Sequence, residues 1–233
     1  VSDTIRLYTR ETIKTGRYAM IGAEPVMARR VWFVLHGYAQ LASGILRPFQ
    51  HIVPDDTCVV APEGLSRFYR DMPRPDGSHL QQVGATWMTR ESREDDIADA
   101  VRWLQNVHDT VMSEAQQATA VGVLAFSQGV ATSTRWLAAG HVRPHHWVPW
   151  AGGLATDIDH GRLRRQLERT KVTLVTGDVD PFVSPEALQL SLTRLQSWQP
   201  TATVQRFAGE HRLDSATLSA LLHGLGADTE MSS

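Results

Sequence analysis

The sequence predicts an α/β protein, a mostly parallel central sheet with helices on both faces. Three observations predict it. Short apolar, strand-like runs recur near residues 31–35, 57–61, 120–126, 146–150, 172–176 and 203–207. Helical patterns alternate with them, most clearly between the second and third runs, where Ile97, Ala100, Val101, Leu104, Val107 and Val111 fall at helical spacing. The run at 120–126 also passes through a tight serine turn straight into another helical pattern. Strands that alternate with helices in this way pack as a parallel sheet covered on both sides. The 233 residues suit one domain of upper-normal size, and no repeat or linker interrupts them, so residues 1–233 are read as a single domain.

In chain order, the first strand, Val31-Trp-Phe-Val-Leu35, runs into His36-Gly37-Tyr38. Gly37 permits close backbone approach there, and the Tyr38 N–H is the candidate donor to a developing oxyanion. His36 precedes the serine turn and is read as a loop-shaping residue. The second strand, in Thr57-Cys-Val-Val-Ala-Pro62, buries Cys58, the one cysteine, so no internal disulfide is possible. From Pro62 to Arg90 the sequence is rich in Gly, Pro, Arg and aromatics and reads as a long loop. Leaving the sheet on the same edge as the serine turn, it is expected to wall a substrate pocket. Trp87 is its leading candidate for contact with substrate, and Arg67, Arg70 and Arg74 are read as solvated. Ser92-Arg-Glu-Asp95 resembles a capping box that opens the long helix.

Val121-Gly-Val-Leu-Ala-Phe-Ser127-Gln-Gly129 is the most informative stretch. A strand enters a small-x-Ser-x-Gly turn, which has the form of a nucleophile elbow. Ala125 and Gly129 supply the small flanking residues, and the Gln128 N–H is placed to meet an oxyanion. Past the strand at 172–176 comes Gly177-Asp178-Val-Asp180-Pro-Phe182, where Asp180 is the candidate acid and Asp178 a turn residue. Phe182, next but one after the acid, is read as a second wall of the pocket. A helix over 185–198 opens with Pro185. After the strand at 203–207, Ala208-Gly-Glu-His211 carries the candidate general base, His211. Nucleophile, acid and histidine thus occur in the order that such sheets use. The residues from Gly224 to Ser233 are expected to fray.

Together Leu35-His-Gly-Tyr38, Ala125-Phe-Ser-Gln-Gly129, Gly177-Asp-Val-Asp180-Pro-Phe-Val183 and Gly209-Glu-His211 resemble the α/β-hydrolase superfamily, and within it the phospholipase/carboxylesterase family with its acyl-protein thioesterases. The resemblance spans roughly residues 30 to 222. It implies an α/β-hydrolase fold, Ser127, Asp180 and His211 as a catalytic triad, and Tyr38 and Gln128 as oxyanion donors. Ala125 and Val130 depart from it, each standing where the family usually has Gly. The implied reaction is hydrolysis of soluble esters of short to medium chain through an acyl-enzyme, with no cofactor. A thioesterase or lysophospholipase would use the same groups, and a catalytically silent, ligand-binding relative is the alternative of another class.

Composition agrees with this reading. Hydrophobic residues make up 42% and charged residues 21% of the chain, ordinary values for a globular protein. A formal net charge of −2 argues against nucleic acid or an anionic membrane as the main partner. No apolar run approaches the roughly 20 residues of a membrane helix, and no signal-peptide layout opens the chain, so a cytoplasmic location is expected. His145-His146 and Asp157-x-Asp159-His160 bring metal-ligand types close in sequence, but no metal site is read from them. The oligomeric state is not encoded in any motif.

Overall fold

The computed structural model describes residues 5–73 and 79–225. Nine strands are described: β1 (Tyr18–Gly22), β2 (Arg30–Leu35), β3 (Thr57–Pro62), β4 (Ser66–Pro73), β5 (His79–Thr86), β6 (Ala120–Phe126), β7 (His146–Trp150), β8 (Lys171–Gly177) and β9 (Thr203–Phe207). Seven form one sheet in the order β1-β3-β2-β6-β7-β8-β9. All neighbours in it are parallel except the edge strand β1, which runs antiparallel to β3. The helices are α1 (Ala42–Ile45), α2 (Arg93–Glu114), α3 (Gln128–Ala138), α4 (His160–Leu167), α5 (Pro185–Trp198) and α6 (Ser215–Gly224).

The pleat explains why the strands were legible. Successive side chains of β2 point to opposite faces, so Val31, Phe33 and Leu35 enter one core and Trp32 and Val34 the other. The first core lies under α2, α3, α4 and α5, which contribute Leu104, Trp136, Leu163 and Leu195. The second lies under α1 and α6, with Ile45, Leu218, Leu221 and Leu222. Strands buried on both faces read as unbroken apolar runs. The six runs seen in the sequence coincide with β2, β3, β6, β7, β8 and β9 to within a residue.

Three expectations need correction. The segment from Pro62 to Arg90 is not a structureless loop. Its residues β4 and β5 pair antiparallel from Ser66↔Thr86 to Pro73↔His79 as a separate two-stranded sheet. Gly84, which reads as a breaker, marks a close approach instead: a Cβ there would stand 2.7 Å from the Ala39 carbonyl oxygen. The proposed capping box does not form, because the Ser92 side chain makes no cap bond. Asp96 instead reaches back, its Oδ2 accepting from the Thr89 N–H at 2.7 Å and the Thr89 hydroxyl at 3.0 Å. At the C-terminus, Gly224 is the last residue of α6 and Leu225 is buried, so the tail does not begin at 224. The rest of that expected tail, 226–233, and Arg74 lie outside the described residues.

Other helix ends follow their sequence. Ser184 caps α5, with Pro185 in its first turn, and Asp159 and Asp214 cap α4 and α6 by accepting from backbone N–H groups three residues on. Among the described residues no helix is long and apolar enough to cross a membrane.

Candidate active site

Strand β6 delivers Ser127 to the C-terminal edge of the sheet. The residue has φ 53° and ψ −117°, a left-handed conformation that a non-glycine residue adopts only when its surroundings impose it. Two glycines leave the room it needs. A Cβ on Gly129 would stand 2.7 Å from Leu35 O and 2.9 Å from His36 O, so α3 can leave the turn only because that position is bare. A Cβ on Gly152 would collide with the Ser127 carbonyl and meet Val130 Cγ2 at 2.7 Å. The bare Gly152 thus makes room for the side chain of Val130, one of the two departures from the family pattern. Ala125, the other, is fully buried in β6 between Leu35 and Pro149.

The two loops after β8 and β9 meet beside it. Asp180 is 7% exposed; its Oδ2 lies 2.8 Å from His211 Nδ1, and its Oδ1 accepts from the Phe182 N–H at 2.8 Å. A carboxylate oxygen accepts, so Nδ1 is the donor in this bond. The imidazole is held between two rings, Phe126 at 4.7 Å and Phe182 at 4.8 Å, the latter edge-on. Asp178 ties the same loops together by accepting from the Gly209 N–H at 2.9 Å. Ser127 and His211 do not hydrogen-bond in this structure; Phe126, next to the serine, makes the contact. Such bonds are often long before substrate arrives.

Gly37 and Ser127 are in contact across the sheet edge: a Cβ on Gly37 would lie 3.1 Å from Ser127 Cβ. The backbone N–H groups of Tyr38 and Gln128 flank this contact, and neither has an acceptor among the described residues. Gln128 is at the first position of α3, where the N–H has no partner within the helix. The Tyr38 ring is exposed and stacks on Phe68 at 5.2 Å. His36 shapes the loop from within. It is fully buried, Nε2 accepts from the Gly64 N–H at 2.9 Å, and Nδ1 donates to Gly37 O at 2.8 Å. Burial pushes its pKa down, and the Gly37 carbonyl and Glu63 only partly oppose this.

The structure separates the two proposed wall residues. Phe182 is exposed at the rim over His211. Trp87 is not a wall residue. It is 3% exposed, stacked on His36 at 4.7 Å, and its indole N–H donates to His36 O at 2.8 Å. Its polar handle is satisfied inward, so the ring packs into the core rather than toward a ligand. Nor are the arginines simply solvated: Arg67 pairs with the buried Glu63 at 2.7 Å, and Arg70 donates to Ala39 O at 3.2 Å.

Two supporting residues gave no signal in the sequence. The Trp150 backbone carbonyl accepts from the Ser127 N–H at 2.9 Å, and its indole donates to Arg212 O at 3.0 Å, so one buried residue links the serine turn to the histidine loop. Thr86 bonds the Gln128 side chain at 2.8 Å. The sequence offers only an ordinary Trp and Thr at these places.

The suspected metal ligands have other partners. His145 accepts from the Val121 N–H, His146 bonds Thr173 at 2.9 Å, and Asp159 caps α4. Burial pushes the Asp157 carboxyl up, but Arg135 and Arg93 outweigh it and hold its pKa at about 2. Among the described residues no three His, Cys, Asp or Glu side chains gather as a metal site. A groove of about 830 Å³ lies between α2, α3 and α4, lined by Ile97, Val101, Ala138 and Ile158 among others, and it contains none of Ser127, Asp180 or His211.

No protein-family model and no curated protein sequence matches the chain. Solved structures do. Esterase PE8 superposes with a TM-score of 0.64 at 19% identity, over 91% of this chain and 99% of that one. An acyl-protein thioesterase 2 from Zea mays gives 0.64 at 14% identity, covering 90% and 97%. A phospholipase/carboxylesterase from Dyadobacter fermentans gives 0.59 at 18% identity, covering 92% and 98%. With its mostly parallel sheet and two helical layers, the chain has the α/β-hydrolase fold.

Proposed function

We propose that the chain is a serine hydrolase of carboxylic esters, with Ser127 as nucleophile, His211 as general base and acid, and Asp180 as the carboxylate that orients it. One observation carries this reading: the 2.8 Å bond from His211 Nδ1 to a buried Asp180, on loops that follow adjacent parallel strands at the edge where Ser127 is held at a left-handed turn. Fold alone would not carry it, since this fold also serves other functions. The structural neighbours, an esterase and an acyl-protein thioesterase, add analogy, at identities too low for more.

In the proposed reaction Ser127 Oγ attacks the ester carbonyl carbon and passes its proton to His211 Nε2. The carbonyl oxygen becomes an oxyanion and is met by the N–H groups of Tyr38 and Gln128. The imidazolium, stabilised by Asp180, returns the proton to the departing alcohol. A water that gives its proton to Nε2 then cleaves the acyl-enzyme, and Ser127 recovers its proton as the acid leaves. None of these steps calls on a metal or cofactor.

The preferred substrates in this reading are soluble esters of short to medium acyl chain. The β4–β5 hairpin supports it, because a paired hairpin bonded to the loop after β2 makes a poor mobile lid. Thioesters and lysophospholipids would use the same groups. A fluorophosphonate probe tests the reading: the wild type is expected to label on Ser127, and Ser127→Ala to lose both label and ester hydrolysis. A folded wild type that takes no label would favour the silent, ligand-binding alternative. A panel of esters and thioesters of graded length then ranks the substrates.

A further inference from the structure

Resting on the hydrolase reading, we infer that Thr86 is a positioning residue for the oxyanion site, acting through the Gln128 side chain. The two N–H donors belong to segments far apart in sequence, the loop after β2 and the start of α3. Oxyanion stabilisation depends on donors being held in place before charge develops. Something must therefore fix one segment relative to the other.

The end of β5 is bonded to both. On one side Ala85 O accepts from the Ala39 N–H at 2.9 Å, and the Ala85 N–H donates to Gln40 O at 3.1 Å, an isolated antiparallel bridge. Gly84 packs against Ala39 so closely that a Cβ would stand 2.8 Å from the Ala39 Cα. On the other side, one residue along, the Thr86 hydroxyl accepts from Gln128 Nε2 at 2.8 Å and donates to Met88 O at 2.9 Å. Gln128 Oε1 accepts from the Trp87 N–H at 3.3 Å. Both hydrogen-bonding ends of the Gln128 amide are thus turned to β5 and its exit, and Thr86 is 3% exposed.

The backbone conformation supplies an independent observation. Ala39, beside the Tyr38 donor, has φ 62°, and Ser127, beside the Gln128 donor, has φ 53°. Left-handed conformations of this kind persist where neighbours over-determine them. Ala39 is bonded by β5 through its N–H and by Arg70 through its carbonyl. The hairpin therefore acts as a bracket: Ala85 holds the Tyr38 side and Thr86 the Gln128 side, two consecutive residues of one strand setting the gap between the donors.

Thr86→Val, which keeps the shape and removes the hydroxyl, tests the bracket, with Thr86→Ser as the rescue. Removing an oxyanion donor outright costs about 10²–10³-fold in turnover; loosening one is expected to cost roughly 10-fold or more, with KM within about twofold. Affinity for a trifluoromethyl ketone, which forms a tetrahedral adduct, should fall by the same factor. Thr86→Ser should recover both, and amide hydrogen exchange at Trp87, whose N–H donates to Gln128 Oε1, should quicken in Thr86→Val alone. Unchanged turnover in a folded Thr86→Val, a loss confined to KM, or a Thr86→Ser as poor as Thr86→Val would overturn the inference. If the wild type neither hydrolyses esters nor takes a fluorophosphonate label, the hydrolase reading fails instead. Unchanged exchange at Trp87 would then sink the Thr86–Gln128 link by itself.

Discussion

Gly177 and Gly209 pack backbone to backbone. A Cβ built on Gly177 would collide with the Gly209 carbonyl and come within 2.6 Å of Glu210 O. The first residue ends β8 just before the acid loop, and the second lies two residues before His211. Bonds from the Asp178 N–H to Phe207 O and from the Val179 N–H to Gly209 O close the remaining space. The Asp180–His211 bond thus depends on the absence of a side chain three residues before the acid.

Gly177→Ala should therefore disarm the site. The added methyl meets backbone rather than a movable side-chain tip, so the histidine loop must shift. A misplacement near 1 Å can cost about 10²-fold in rate. Activity is expected to fall by that order while the circular dichroism spectrum stays that of the wild type. A Gly177→Ala protein with full activity would show that the loop spacing is unimportant.

Asp180→Asn and Asp178→Asn should part widely. An amide at 180 can no longer accept from Nδ1–H with a full charge, and it favours the wrong tautomer, an effect of order 10⁴ in turnover at comparable sites. Asp178 accepts only from the Gly209 N–H, at the surface, so its loss should cost far less. Rate measurements on both proteins decide this, and the reverse ranking would move the acid to Asp178.

Trp87 and Phe182 should respond differently to truncation. Trp87→Ala opens a cavity in the core and leaves His36 O without its donor, so it should lower stability by roughly 3–5 kcal/mol. Phe182 is 76% exposed, so Phe182→Ala should leave stability almost unchanged and alter the preference among esters. Urea unfolding and a substrate panel check both. A Trp87→Ala protein of normal stability with a shifted chain-length preference would return Trp87 to the substrate wall.

His36 should make stability depend on pH. Burial lowers its folded pKa, so below the ordinary histidine value of about 6.5 the unfolded chain binds the proton first. The stabilisation is full above that value and is lost as pH falls through it toward the folded pKa. Replacing His36 with Asn should flatten the profile of unfolding midpoint between pH 7.5 and pH 5. Parallel profiles for the two proteins would show that His36 does not titrate between the states.

The sequence discloses some of this architecture and hides the rest for a physical reason. Strands such as β6 and β8 are buried on both faces and need apolar side chains throughout. Ser127, Asp180 and His211 sit in local motifs whose order along the chain mirrors their order on the sheet. The β4–β5 hairpin has no such burial, and Tyr69, Leu80 and Val83 on it are exposed, so no periodicity marked it. Gly84 looks like a break because its purpose, clearance for Ala39, lies in another segment. Trp87 looks like a wall for the same reason: its partner, His36, is 51 residues away. Edge strand β1, with alternate residues exposed, lacks the burial on both faces that marks β6 and β8.

The second core bears on how the protein withstands heat. Phe126, Trp150, Ala151, Phe207 and Leu213, which underlie the serine and histidine loops, belong to the core covered by the four-residue α1 and the ten-residue α6. The opposite core is roofed by four helices. Lightly covered regions open before the whole molecule does. A warmed sample is thus expected to fall silent in a rate assay while far-ultraviolet circular dichroism still reports intact helices; coincident loss of both signals would contradict this. The same geometry sets a boundary for truncation, since a chain cut before the buried Leu225 would lose part of the roof over its own chemistry.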